Sequence, residues 1–201
     1  MDEHLSWDPQ IHDLTTKLSR TVGFISKLRH FVDFKTLLSI YYALFDSHVN
    51  YCLQTIGFMT QASFNKIEVL QNKALRLIHF KPPRHSSRPL FIKSAILPIK
   101  KQLQVKNCLL ALDFVHDKLP KYFADFLRYS PVHEGTRQSQ HKLEPPKTKT
   151  VKYGSYNIAS QITKDWNNFH NKLKIEDLRK ISKSKFKEHL HRFILTKIAE
   201  T

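Results

Sequence analysis

The sequence predicts an all-α fold, and three observations favour it. Hydrophobic residues make up 41% of the 201 residues, which is enough for a packed core. Apolar residues recur at steps of three and four along much of the chain, the spacing of one helix face. Glycine occurs only 4 times, so few turns can use the left-handed backbone that glycine favours. A β sandwich or barrel with many turns is therefore disfavoured.

Three helices are predicted in the first part of the chain. Residues 9–29 have apolar side chains at helical spacing, with Asp8 as a cap and Pro9 in the first turn. Residues 34–48 form a second helix, which a short break separates from the first, so the two should pack antiparallel. Its expected buried face consists of Leu37, Tyr41, Leu44 and Phe45. Residues 62–80 form the third helix, with an apolar stripe of Ile67, Leu70, Ala74, Leu77 and Ile78.

A Pro-rich break at residues 81–89 separates this bundle, residues 1–80, from a second helical unit, residues 90–201. Two successive prolines remove backbone donors and restrict the residue before them. Residues from about 130 to 150 are rich in Pro, Lys, Gln and Thr, which predicts a loop or extended connector. The helices predicted in this half span 89–95, 99–117, 120–127, 156–172 and 177–198.

The chain is strongly basic. It has 33 Lys and Arg against 17 Asp and Glu, a net charge of +16, and residues 51–100 contain a single acid, Glu68. Such an excess favours a polyanionic partner, most often nucleic acid. The alternative is a basic protein whose charged helix faces contact only solvent.

Basic side chains form three candidate arrays for nucleic-acid phosphates, which fixed cations bind without reading sequence. The first lies opposite the apolar stripe of the 62–80 helix and consists of Lys66, Lys73 and Arg76. The second follows four-residue steps at the last helix and consists of Arg179, Lys183 and Lys187. The third lies in and just after the connector and consists of Lys147, Lys149 and Lys152. A solubilising charged face remains the alternative for each. The aromatic residues lie mostly on apolar stripes, which favours core positions over base stacking.

The residues form no pattern for catalysis or for a resident metal. A polymerase palm needs clustered aspartates that hold two Mg²⁺ ions, and the sequence has no Asp-Asp pair. Asp113 and Asp117 lie one helical turn apart, but no histidine or third acid is placed beside them. The 12 histidines lack the spacing of zinc ligands, and Cys52 and Cys108 form no C-x₂-C pair. No metal and no cofactor are expected.

The sequence predicts an intracellular protein, in the nucleus or cytoplasm. It has no apolar run of about 18 residues, the length that a membrane-spanning helix needs. Residues 1–15 are acidic and lack the apolar centre of a secretory signal. Two cysteines without a disulfide framework suit a reducing compartment. No membrane partner and no small-molecule substrate are expected.

Several short motifs follow one another along nearly the whole chain. The first runs from Asp2 through Leu5-Ser6-Trp7 into K-L-x-R at 17–20. A Y-x-x-L pattern at 41–44 precedes the most specific motif, L-Q-x-K-A-x-R-x-I at 70–78. Later come H-x-x-T-R at 133–137, Tyr153-Gly154 and Trp166-Asn167. Their order and spacing resemble the thumb and linker that follow the palm of non-LTR retrotransposon reverse transcriptases, of the jockey-like kind.

This resemblance implies a non-catalytic C-terminal fragment of an RNA-directed DNA polymerase, with Met1 at a position inside the longer protein. Residues 1–80 would be a thumb-like three-helix bundle and residues 90–201 the helical linker. Both would hold RNA or DNA without doing chemistry, and Arg137 joins the candidate nucleic-acid contacts. Cys52 and Ile56 replace the family's Gly and Trp, which fits a decayed or repurposed copy.

Two other functions stay open at this point. The first is an inert element remnant or a helical protein-interaction module that does not bind nucleic acid. The second is a metal nuclease built on histidines, which the scarcity of acids disfavours.

Overall fold

The regular structure of the chain is helical wherever the computed structural model describes it, at residues 8–51, 53–56, 61–121, 126–131, 141–147, 157–169, 172–173 and 178–200. The predicted all-α class is confirmed. Within those ranges the only strand-like pairing is an isolated antiparallel bridge between Tyr129 and Leu143. The chain divides into two compact units. Unit 1 extends to Ile99 and includes the last residues from Ile198, and unit 2 is Lys100–Lys197.

Unit 1 is built around the long helices α1 (Asp8–Leu28) and α5 (Gln61–Ile78), which pack against each other. Between them in the chain come α2 (Phe34–Ile40), a π-helical segment (Tyr41–Asp46), α3 (Ser47–Tyr51) and α4 (Leu53–Ile56). The short helix α6 (Arg88–Lys93) follows α5. α1 also contacts α2, the π-helical segment and α3. The core includes Leu14, Leu18, Val22, Ile25, Leu37, Tyr41, Phe45, Ile67, Leu75 and Ile78.

The helix predicted at 34–48 is interrupted by the π-helical segment. It starts where Asp33 caps α2, because the hydroxyl and the backbone N–H of Thr36 both donate to the Asp33 carboxylate and lower its pKa. Farther along, the N–H of Ser47 donates to the carbonyl of Tyr42, five residues back. The wider turn changes which residues face the core. Leu44 was expected to be buried and is 39% exposed.

α5 buries a different face from the predicted one. Leu70 and Leu77 are half-buried, and the predicted stripe is wrong at these two positions. The buried face instead consists of Ser63, Phe64, Ile67, Gln71, Ala74, Leu75 and Ile78. It is turned by roughly 50°, half of the 100° step between successive helical residues. A polar residue, Gln71, lies at the centre of the buried face. A prediction from apolar residues alone therefore placed the buried face too far to one side.

Gln71 is buried because its amide is fully used. Its Nε2 donates to the Tyr41 hydroxyl at 3.0 Å and to the Leu97 carbonyl at 3.1 Å. Its Oε1 accepts from the backbone N–H of Ile99 at 3.1 Å. These bonds hold the chain beyond α6 against α5. The Pro-rich segment 81–89 lies inside unit 1, whose N-terminal stretch of chain extends to Ile99.

Unit 2 contains α8 (Ile158–Phe169) and most of α7 (Ile99–Val115) and α9 (Lys183–Glu200). α8 packs on α9 through ring contacts, with 6.0 Å between the centroids of Trp166 and Phe186. The Trp166 indole donates to the His141 carbonyl at 2.7 Å, and the Asn167 amide bonds both the N–H and the carbonyl of Leu143. The Trp-Asn pair thus fixes the segment at 141–143. The described parts of the predicted connector contain no helix.

The last helix begins six residues later than predicted, at Lys183 instead of residue 177. Ser182 sets this start, because its carbonyl accepts from the N–H of Phe186 at 3.0 Å and its hydroxyl from the N–H of Lys185 at 3.3 Å. Residues 122–125 of the short helix predicted at 120–127 lie outside the described residues. No helix in the described ranges is long and apolar enough to cross a membrane.

Three helices end on a residue with left-handed backbone that is not glycine. Phe80, Ala95 and Asp117 have φ of 55°, 52° and 55° and follow α5, α6 and α7. In each case the next N–H donates to a carbonyl five residues back, for example from Lys81 to Arg76 at 2.8 Å. This is a Schellman motif, in which glycine is the usual residue at the left-handed position.

Candidate nucleic-acid interface

α5 presents two lysines on its solvent-facing side. Lys66 and Lys73 are both exposed and lie on the side away from the buried residues of the helix. They are seven residues apart, so their Cα atoms are separated by about 10.5 Å along the helix axis. Neither forms an ion pair with any residue that the structure describes. α5 therefore holds two cations in a fixed relation on a rigid element.

Arg76, the third member of this predicted array, has a different position. It is half-buried, and its Nε donates to the His85 carbonyl at 2.7 Å. This bond ties the Pro-rich segment to the last turn of α5. Arg76 is thus partly engaged in holding unit 1 together.

The predicted array of Arg179, Lys183 and Lys187 does not form one helical row. Arg179 is exposed but lies in the turn before α9. Lys183, in the first turn, forms an ion pair with Asp113 of α7. Lys187 is exposed on α9. The four-residue spacing would place all three on one face only if the helix began before Arg179.

The end of α7 lies between the two aspartates that are four residues apart in the sequence. Asp113 lies on α7 and pairs with Lys183. Asp117 lies past the end of α7, with left-handed backbone. The two carboxylates therefore do not share a helical face.

The third array and Arg137 lie mostly beyond the described ranges. Lys147 is exposed and follows two prolines at the end of the described segment 141–147. Lys149, Lys152 and Arg137 are outside the described residues, as are the opening motif at 2–7, the whole of H-x-x-T-R at 133–137 and Tyr153-Gly154.

One buried carboxylate, that of Asp165, was not indicated by the sequence as a candidate site residue. Asp165 on α8 is 8% exposed and accepts hydrogen bonds from Asn107 Nδ2 at 2.8 Å and Gln104 Nε2 at 3.2 Å. Burial raises its pKa, and these two bonds from α7 act in the opposite direction. Amide donors cannot exchange protons with it as an acid–base partner would. The arrangement suits a polar link between α7 and α8.

Among the histidines, His79 at the end of α5 is the best defined. Its Nε2 lies 2.6 Å from the Ser94 hydroxyl oxygen. Burial lowers its pKa first, and the cations of Lys93 and Lys81 lower it further. In the part of the chain that the structure describes, no group of three or more His, Cys, Asp or Glu residues could hold a metal ion.

Comparison with family models, with curated proteins and with solved structures finds no match to this chain. The inference about function therefore depends on the residues and their geometry, together with the order of the motifs.

Proposed function

We propose that this chain binds the backbone of RNA or DNA without sequence preference, as the non-catalytic thumb and linker part of a non-LTR retrotransposon reverse transcriptase. The observation that supports this best is the exposed lysine pair of α5, Lys66 and Lys73, in a protein of net charge +16. Cations fixed on one helix face suit phosphates, which carry no sequence information.

The most specific motif has a structural meaning that supports the proposal. In L-Q-x-K-A-x-R-x-I the Gln, Ala and Ile positions are buried at Gln71, Ala74 and Ile78. The Lys position is exposed at Lys73. The motif therefore combines the packing of α5 with an outward cation, as a helix that leans on a nucleic-acid duplex requires.

No polymerase activity is proposed for this chain. The sequence lacks an Asp-Asp pair, and two Mg²⁺ ions need clustered carboxylates. The purified chain should extend no primer on an RNA or DNA template. Extension that survives repurification would contradict the proposal.

The test of binding is a gel-shift titration of the full chain at two salt concentrations. An interface with ~6–10 phosphate contacts loses ~10³–10⁵ in affinity between about 50 and 200 mM salt. Lys66→Glu with Lys73→Glu should weaken binding about equally for unrelated sequences, and should lower the salt slope by about 2. Arg76 stays unchanged because its bond to His85 contributes to the fold.

The matched control is Lys164→Glu with Lys185→Glu. It makes the same change in net charge at two exposed lysines of unit 2 outside the predicted arrays. An equal effect of the two double variants would mean that net charge alone acts. Weak binding at low salt that neither variant changes would favour the protein-interaction alternative.

A further inference from the structure

Two exposed aromatic rings lie at the end of unit 1 where α1 and α5 stop. Phe31 is 83% exposed and Phe80 is 49% exposed. The guanidinium carbon of Arg29 lies 5.1 Å from the centroid of the Phe80 ring, and Arg29 is two residues from Phe31. Both rings therefore belong to one end of the unit. We refer to Phe31, Phe80 and Arg29 as the aromatic end.

Cations adjoin this surface. Lys81 follows Phe80 in the chain, and Lys93 precedes Ser94, whose hydroxyl oxygen lies 2.6 Å from His79 Nε2, so both exposed lysines lie near the end of α5. The nearby acid, Asp33, keeps its negative charge while it caps α2, because its two bonds from Thr36 lower its pKa. The cations of Arg29, Lys81 and Lys93 outnumber this carboxylate, so the balance of these charges is positive.

The backbone conformation at position 80 does not favour an aromatic residue. Its φ of 55° is a conformation that favours glycine and that bulky residues rarely adopt. Residues in strained conformations of this kind are enriched at functional sites. Here it directs a ring outward, with the cation of Arg29 over it.

We propose that the aromatic end stacks the unpaired bases of a single-stranded nucleic acid whose phosphates lie against Lys81 and Lys93. This deepens the proposed function and rests on it. Aromatic rings beside cations are the combination that single-strand binding requires, because a base has a flat face and a backbone charge. A partner protein that docked through apolar contacts would not need the rings to be surrounded by positive charge.

The experiment measures the affinity of the full chain for a short DNA single strand and for a duplex of the same length. The variants are Phe31→Ala and Phe80→Gly, and the second also removes the strained β-carbon. Each should weaken single-strand binding by roughly 5- to 100-fold and leave duplex binding unchanged. Phe31→Tyr keeps a ring and should bind like the parent.

The control is Tyr51→Ala. Tyr51 is 89% exposed but lies at the far end of the helical run that starts at Phe34, roughly 25 Å away. It should change neither affinity. Melting of every variant confirms the fold, and a 2-aminopurine base in the single strand reports stacking directly. Its fluorescence should be quenched by the parent and by Phe31→Tyr, and much less by Phe31→Ala.

Three results would overturn the inference. The first is single-strand affinity that survives both ring removals. The second is an equal loss for strand and duplex, and the third is an equal loss for Tyr51→Ala. In each case duplex binding that depends on Lys66 and Lys73 would leave the proposed function standing. Failure of the parent to bind either probe would instead end the proposed function, and this inference with it.

Discussion

Replacing Gln71 by leucine should destabilise unit 1 more than its small change in size suggests. The Gln71 amide bonds three buried groups: the Tyr41 hydroxyl, the Leu97 carbonyl and the Ile99 N–H. Gln71 and these three partner residues are each no more than 3% exposed. Leucine fills the space but offers none of the bonds, and water has no access to replace them.

The magnitude follows from the orphaned groups. A buried donor or acceptor left unpaired costs about 1–3 kcal/mol. Three of them cost about 3–9 kcal/mol, and an offset of about 1–2 kcal/mol for the more apolar side chain leaves a loss of roughly 1–8 kcal/mol. Domains of this size hold about 5–15 kcal/mol in total. The melting temperature should therefore fall by at least about 4 °C.

The assay is urea and thermal unfolding followed by circular dichroism. Gln61→Leu is the matched control, because it makes the same change on the exposed part of the same helix. It should stay within about 0.5 kcal/mol of the parent. Tyr41→Phe removes one partner and should cost about 1 kcal/mol, and the double variant should cost less than the sum. If Gln71→Leu melts like Gln61→Leu, the buried network is wrong.

Three further predictions concern packing, backbone and pH. Leu75→Ala should lower the free energy of unfolding by about 2–5 kcal/mol, and Leu70→Ala by clearly less, because Leu75 is fully buried and Leu70 is half-buried. Equal losses in urea unfolding would mean that Leu70 is buried as the sequence predicted. Ala95→Gly should stabilise the fold by about 0.5–1 kcal/mol, because Ala95 has a φ of 52°. Ala62→Gly in α5 should instead destabilise the fold, and calorimetry can measure both effects. Burial raises the folded-state pKa of Asp165, so the parent should lose stability relative to Asp165→Asn as pH rises from below about 4 through that pKa. A difference that stays constant with pH would contradict this.

Some features of the fold were predictable from the pattern of apolar residues, and others needed a signal that this pattern does not carry. α1 and α8 have one apolar face each and lie close to their predicted ranges. α7 has apolar residues all round, so the sequence does not indicate which face is buried. Its apolar residues Leu103, Leu110 and Phe114 are half-buried, whereas Leu112 is fully buried. On α5 the buried Gln71 hid the true face.

The π-helical segment did leave a readable signal. Leu37, Tyr41, Phe45, Val49 and Leu53 are all buried and follow one another at steps of four. On an α-helix each such step drifts by about 40°, so five positions would spread over about 160°. A wider turn cancels part of that drift and brings them to one side. The stacked rings of Tyr41 and Phe45, with centroids 5.1 Å apart, lie in this segment.

The left-handed residues that end three of the helices could not be predicted from the sequence. Scarce glycine suggested that few positions would have positive φ, yet α5, α6 and α7 each end on one. The chain uses Phe80, Ala95 and Asp117 there, and Phe and Ala give no sequence signal for such an end. The strain at the first of these positions is informative only once the ring is seen to be exposed.

The candidate interface shows why charge spacing alone is a weak guide to binding sites. Arg179, Lys183 and Lys187 have the better helical spacing, but Ser182 starts α9 too late to include Arg179, and Asp113 engages Lys183. Lys66 and Lys73 have the same charge and wider spacing, yet they project from a helix whose opposite face is locked into the core. A phosphate-binding cation must be both held by its helix and left unpaired by its neighbours. Periodicity can predict the first condition, but the second depends on where distant carboxylates fall, so the α5 pair carries the proposal and the α9 row does not.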